Sequence, residues 1–298
     1  MNTIKCWVVV LIAVLLLPNV AASANAAKEA YEKGKASLEK QEYDAAITAF
    51  TEAIRLDPQN GKAYYDRGIA LKGTGESEKA ILDFAEAIRL NPKHANAFCN
   101  RGVTYERTGK HDKAMADYNE AIRLDQKAPF YFNRGVAYGH EKDYDKAIAD
   151  YTEALRLDPK FVKAFHNRCM AYWHKGDRDK AIAEYTEAIR LDPKNAEMYR
   201  ARGNIYNVQS DADNAFADYS QAIQLNPKDA YAYMGRGLAY ANRGENDKAI
   251  ADFTEAIRLD PKNPYVYQNR GLTYAKMGDK AKADEDLAQA RRLGFKGK

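Results

Sequence analysis

KAIADYTEALRLDP (146–159) returns almost letter for letter as KAIADFTEAIRLDP (248–261), three 34-residue steps further along the chain. The prolines serve as a ruler for working outward from this stretch. Pro58, Pro92, Pro159, Pro193, Pro227 and Pro261 each follow Asp or Asn, and every adjacent pair but one lies 34 apart. The exception, Pro92 to Pro159, spans two steps and is one residue short, with Gln126 where a proline is due. Between the prolines a second text recurs: AYYDRGIAL (63–71), AFCNRGVTY (97–105), FYFNRGVAY (130–138), AFHNRCMAY (164–172), MYRARGNIY (198–206), AYMGRGLAY (232–240) and VYQNRGLTY (266–274). Self-similarity at a fixed period of this size marks stacked helical units.

Both segments carry helical periodicity. In the second, Ala147, Tyr151, Ala154 and Leu157 recur at spacings of three and four, which places them on one face. The helix stops at L-D-P, because proline disfavours helical geometry in the residue before it and cannot continue the ladder. Small residues fall where paired helices approach closely, as at Gly135 opposite Ala147. Neither helix buries its stripe alone, so stability has to come from stacking on neighbours.

These motifs resemble the tetratricopeptide repeat family. Its pattern of Gly, Tyr, Ala, aromatic, Ala and Pro falls on Gly237, Tyr240, Ala249, Phe253, Ala256 and Pro261. The resemblance implies an all-α solenoid of eight helix-turn-helix repeats, at 27–60, 61–94, 95–127, 128–161, 162–195, 196–229, 230–263 and 264–297. Departures are few: Cys169 replaces the Gly of repeat five, Gln126 the Pro of repeat three, and Ser37 the Tyr of repeat one. Glu29, Lys33 and Ser37 give repeat one a polar first helix, and Leu287 replaces the ring of the last helix. Both ends read as caps. The shortening beside Gln126, with Pro129 opening the next helix, predicts a local change of superhelical twist between repeats three and four.

The bulk numbers fit a soluble binding protein. Charged residues make 30% and hydrophobic ones 46%, a globular balance, and the net charge of +4 is finely interspersed, without the basic stripe that nucleic acid requires. Tyr is in surplus, 21 against 10 Phe and 2 Trp, which suits rings that pack while keeping a hydroxyl wet. At the N-terminus, Lys5, the apolar run 6–17, Pro18 and the A-x-A site at 22–24 read as a signal peptide over 1–24. The alternative is a retained membrane anchor, but twelve apolar residues fall short of the ~20 needed to span a bilayer, so no stable membrane span is expected after signal cleavage and the mature chain is expected to be exported, periplasmic or secreted.

Seven repeats carry Arg just before the Gly position, and the same seven carry an acid before the aromatic of the second helix. Repeat one lacks both, having Lys33 and Ala49. The joint absence predicts ion pairs within repeats: Arg67–Asp83, Arg101–Asp117, Arg134–Asp150, Arg168–Glu184, Arg202–Asp218, Arg236–Asp252 and Arg270–Asp286. The rival reading lines a groove with these arginines to bind an anion.

In the family the first helix of each repeat lines the concave surface. By that resemblance the groove-binding residues are Cys99, Val103 and Glu106, then Phe132, Val136 and His140, then His166, Met170, Trp173 and His174. Repeat six adds Arg200, Asn204 and Asn207, repeat seven Tyr231, Met234 and Leu238, and repeat eight Tyr265 and Gln268. Aromatic and apolar side chains on such a face point to an interaction surface, centred on repeats three to six. No triplet of repeats carries the Lys, Asn and Arg set with which family members clamp a C-terminal carboxylate. The histidines come from different turns or repeats, too far apart for a shared metal ion. Cys99 and Cys169 lie two repeats apart, beyond disulfide reach. No phosphate loop, nucleophile elbow or paired-carboxylate motif is present, so neither a catalytic residue nor a cofactor is assigned. The function expected is a protein- or peptide-binding scaffold of envelope assembly or trafficking. The alternative is a polysaccharide-binding or export accessory, since Tyr and Trp faces stack on sugars.

Overall fold

The computed structural model describes residues 23–296, all of whose regular structure is helical. The signal segment read over 1–24 therefore falls almost wholly outside the described residues. Among those described, no helix is long and apolar enough to cross a membrane. The chain divides into two compact units, Met1–Leu157 and Asp158–Lys298.

The first unit holds α1 (23–39), α2 (Tyr43–Leu56), α3 (Gly61–Thr74), α4 (Ser77–Leu90), α5 (Ala95–Arg107), α6 (His111–Leu124), α7 (Ala128–His140) and α8 (Tyr144–Leu157). The second holds α9 (Val162–His174), α10 (Arg178–Leu191), α11 (Ala196–Val208), α12 (Ala212–Leu225), α13 (Ala230–Asn242), α14 (Asn246–Leu259), α15 (Pro264–Lys276) and α16 (Lys280–Arg292). Within each unit, odd and even helices pair, and each pair packs on the next.

The turns explain the punctuation of the sequence. At the end of each second helix the Asp or Asn before proline accepts a backbone N–H two residues on, as Asp57 does from Gln59 at 3.1 Å and Asp158 from Lys160 at 3.1 Å. That side-chain turn is why the residue is Asp or Asn. Between the two helices of a pair one residue is left-handed: glycine in most repeats (Gly176 at φ 82°), but Gln41, Lys142 and Ser210 at φ 60–63° in the others. A side chain there is strained, so these three positions carry a local cost that glycine avoids.

The shortened link differs from its predecessor. Asp125 (φ −155°, ψ 132°) and Lys127 (φ −113°, ψ 142°) are both extended, whereas in the preceding link Asn91 (φ −138°, ψ 91°) is extended and His94 (φ −81°, ψ 77°) is not. Pro129 sits in the first turn of α7, where its missing N–H is harmless. The expected change of twist would originate in this extended link.

The core is a row of small residues and rings. The glycines that follow the repeated arginines face the aromatic ring of the second helix: a Cβ at Gly135 would stand 2.8 Å from the Tyr151 ring. The Cβ of Asp150 would lie 3.2 Å away, and at the equivalent Gly102 the carbonyl oxygen of Ala114, the counterpart of Ala147, would lie at the same distance. Tyr118, Tyr185, Tyr219, Phe50, Phe84 and Phe253 are fully buried there. Cys169, in the glycine position of repeat five, is also fully buried. In α1, Glu29 and Lys33 are exposed, but Ser37 is buried and faces inward.

Candidate functional site

Each repeated arginine lies against the acid of its own repeat. Arg67, Arg101, Arg134, Arg202, Arg236 and Arg270 present Nε and Nη2 to the two oxygens of Asp83, Asp117, Asp150, Asp218, Asp252 and Asp286 at 2.7–2.9 Å. Arg168 donates both nitrogens to one oxygen of Glu184, at 3.1 and 2.6 Å. The aspartates are buried, and each of these pairs bridges the two helices of its own repeat. Their hydrogen bonds hold the guanidinium groups above their ordinary pKa in the six Asp pairs. The remaining arm, Nη1, ties four repeats to the one before: Arg67 to Thr51, Arg134 to Asn119, Arg202 to Thr186 and Arg270 to Thr254.

The same arginines account for much of the tyrosine surplus. Arg134 lies over Tyr131 and Tyr138, Arg202 over Tyr199 and Tyr206, Arg236 over Tyr233 and Tyr240, and Arg270 over Tyr267 and Tyr274, each within 6.0 Å of the ring centre. Half-buried cations prefer such faces. One face of each of these eight rings is taken by a guanidinium group.

In the first unit, the predicted groove residues divide. Val103, Phe132 and Val136 are half-buried, and His140 is exposed. Glu106 gathers two imidazoles: His111 Nδ1 lies 3.1 Å and His140 Nδ1 3.7 Å from its Oε2. Its other oxygen, Oε1, is buried without a hydrogen-bond partner. Cys99 is a correction. It is 5% exposed, packs with Tyr118 and Phe130, and accepts from Asn133 Nδ2 at 3.2 Å, so it belongs to the core and not to the groove wall. Burial pushes its thiol up to about 11.

That contact belongs to a series. Asp66 accepts from Tyr31 at 2.8 Å, Asn100 donates to the Tyr65 hydroxyl at 3.1 Å, and Asn133 donates to Cys99. In each case the residue just before the repeated arginine reaches the first helix of the preceding repeat. These links close the seams between first helices in the first unit.

The second unit opens one of those seams. A cavity of about 290 Å³ lies between α9 and α11. It is lined by the predicted residues His166, Met170, Trp173, Arg200 and Asn204, together with Tyr185, Glu197, Ala201, Ile205 and Val208. His166 meets the Tyr185 ring edge-on, with Nδ1 3.3 Å from its hydroxyl. Asn204 Oδ1 accepts from the Tyr219 hydroxyl at 2.8 Å. Arg200 Nε stands 3.0 Å from Asp229 Oδ2 with its N–H aimed off the oxygen, Nη2 stands 3.7 Å from Glu197, and the guanidinium covers Tyr231. Tyr231 and His174 are exposed, and Met234 is half-buried. The five lining residues that the sequence reading missed were detectable in part, since Ala201 stands where Asp66, Asn100 and Asn133 make the seam contacts.

Burial holds the His166 imidazole below its ordinary pKa. The unfolded chain then binds more protons than the folded one below about pH 6.5, so this residue costs stability as pH falls from that value toward the folded pKa. The expected result is a smaller drop in Tm between pH 7 and pH 5 for His166→Gln than for the wild type. Equal drops in the two proteins would remove His166 as a contributor.

Family models for the tetratricopeptide repeat match residues 65–129 and 128–161, and a TPR repeat model matches 34–75, 171–209, 203–244 and 239–278. The chain belongs to the tetratricopeptide repeat family. A tetratricopeptide repeat protein from Parabacteroides merdae is similar in structure, with a TM-score of 0.60 at 21% identity over 84% of this chain and 99% of that one. MamA matches at a TM-score of 0.51 and 25% identity, over 58% of this chain and 94% of that one. YrrB, described as a TPR protein with an unusual peptide-binding site, matches at 0.51 and 21%, over 63% and 97%. No curated protein sequence matches the chain significantly. Among the described residues, no group of three or more His, Cys, Asp or Glu side chains is placed to hold a metal ion.

Proposed function

We propose that this tetratricopeptide protein is a non-catalytic scaffold, exported to the cell envelope, that holds a polypeptide partner against the first helices of its repeats. The observation that carries the reading is where the chain leaves apolar surface open. Among the described residues seven large apolar side chains are exposed, and five of them, Met170, Val208, Tyr231, Tyr265 and Leu272 at 37–60%, stand on first helices of the second unit; the others are Leu82 on α4 and Met277 just after α15. A protein gains nothing by wetting large apolar side chains in a row, and such surfaces are covered by partners. Around them stand amides, Asn204, Asn207 and Gln268, whose donors and acceptors suit a peptide backbone. The signal-like segment over 1–24 is the support for export, and through it for a role in envelope assembly or trafficking.

The test is a crosslinking pull-down from an envelope fraction, comparing wild type with the Phe132→Ala/Trp173→Ala variant. The double variant is expected to keep its helical circular dichroism and to lose the captured proteins. An unchanged set of captured proteins would remove these faces as the binding surface.

A further inference from the structure

The cavity between α9 and α11 lies beside one small side chain, Ala201, whereas at the equivalent Gly235 the Tyr219 ring comes within 2.5 Å of where a Cβ would stand. Where the first unit places Asp66, Asn100 or Asn133 to bond across to the preceding first helix, repeat six has Ala201, which cannot reach. The residue it would have met, His166, turns instead to the Tyr185 hydroxyl. The seam stays open, and its sides are Met170, Trp173, Ile205 and Val208.

Charge and size define what fits. Arg200 already stands 3.0 Å from Asp229 and 3.7 Å from Glu197, so its charge is offset even though its Nε–H has no hydrogen-bond partner, which suits a neutral occupant better than an anionic group. A cationic side chain would meet the Arg200 guanidinium. At about 290 Å³ the space exceeds the roughly 150 Å³ apolar cavity that accepts benzene, which leaves room for a phenyl ring with its methylene. Met170 is 37% and Val208 50% exposed at the mouth, so the entrance is apolar as well. From these features we infer that the cavity is an anchor pocket for a single uncharged side chain of phenylalanine or leucine size, presented by the polypeptide partner. The inference rests on the scaffold reading above and adds to it a location and a specificity.

Trp173 lines the pocket and shares the sequence only with Trp7, so its fluorescence in a full-length Trp7→Phe protein reports occupancy. The probe is N-acetyl-phenylalaninamide, for which a fragment of this size is expected to saturate with a Kd on the order of a millimolar. N-acetyl-lysinamide and N-acetyl-glutamate amide at the same concentrations are expected to produce no saturable change. Ala201→Asn restores the seam residue, and is expected to keep or raise Tm while weakening the phenylalaninamide response at least tenfold. Val208→Glu, at an exposed position, charges the mouth and is expected to weaken it similarly without unfolding the protein. No saturable response in the parent, an undiminished one in both variants, or equal saturation by either charged amide would overturn the assignment. If envelope proteins are still captured while phenylalaninamide fails to bind, only the pocket falls. If phenylalaninamide binds and the capture is insensitive to the groove variant, the scaffold reading falls instead.

Discussion

Asp150→Ala is expected to destabilise the first unit by about 3–5 kcal/mol, the range for removing one partner of a buried ion pair. The side chains of Asp150 and Arg134 are only 8% and 20% exposed, so solvent screens little of their interaction. Without Asp150 the guanidinium keeps its charge, because arginine does not deprotonate in proteins, and it is left with the Asn119 oxygen and two ring faces. Arg134→Ala leaves the converse, a buried carboxylate beside Gly135. The double variant removes both charges and should be less damaged than the sum of the single variants by roughly 2 kcal/mol or more, measured as urea unfolding midpoints in a double-mutant cycle. Additive losses would mean that the 2.7 and 2.8 Å contacts carry no coupling. Arg134→Lys separates charge from geometry, since an ammonium supplies the charge but neither the fork nor the flat face for Tyr131 and Tyr138. It should behave more like alanine than like the wild type.

The ion pairs were legible in the sequence because the same two columns of residues appear and vanish together: seven repeats have both, and Lys33 and Ala49 stand where repeat one lacks both. The helices were legible for a related reason, since a pattern written eight times averages out local exceptions. What the period cannot show is which side chain fills which neighbour. Cys99 and His166 stand at the same place in their repeats and both read as groove by family resemblance, yet Cys99 is small enough to sink into the core under Asn133 while His166 lines the open seam. The tyrosine surplus read as wet surface, and much of it is the cladding of arginines. The cavity was hardest to foresee because no residue type announces it: it lies beside Ala201, while at the equivalent Gly235 a ring packs close. Ala201 is unremarked in a helix until its equivalents are known to bond across the seam.

Phe253→Ala is expected to have the other large effect, about 3–5 kcal/mol, through the cavity that its ring leaves. The ring is fully buried, packs with Ala249, Ala256 and Val266, and fills the space that a Cβ at Gly237 would enter at 2.7 Å. Relaxation cannot close that space, because Gly237 has no side chain to swing inward. Phe253→Leu should cost less, about 1.5 kcal/mol or under, because most of the volume is kept. The last repeat makes this choice itself, with Leu287 Cγ 3.1 Å from where a Gly271 Cβ would lie. The distribution of the loss is as informative as its size. In a stack where each repeat contacts only its neighbours, damage to one repeat weakens it and its two interfaces and leaves distant repeats nearly untouched. Hydrogen exchange should therefore accelerate in α13, α14 and α15, which meet around Phe253, while α9 and α10 keep their protection. Uniform acceleration across the second unit would show that it unfolds as one cooperative block. Partner binding at α9 and α11 would then be sensitive to core damage two repeats away, instead of being insulated from it.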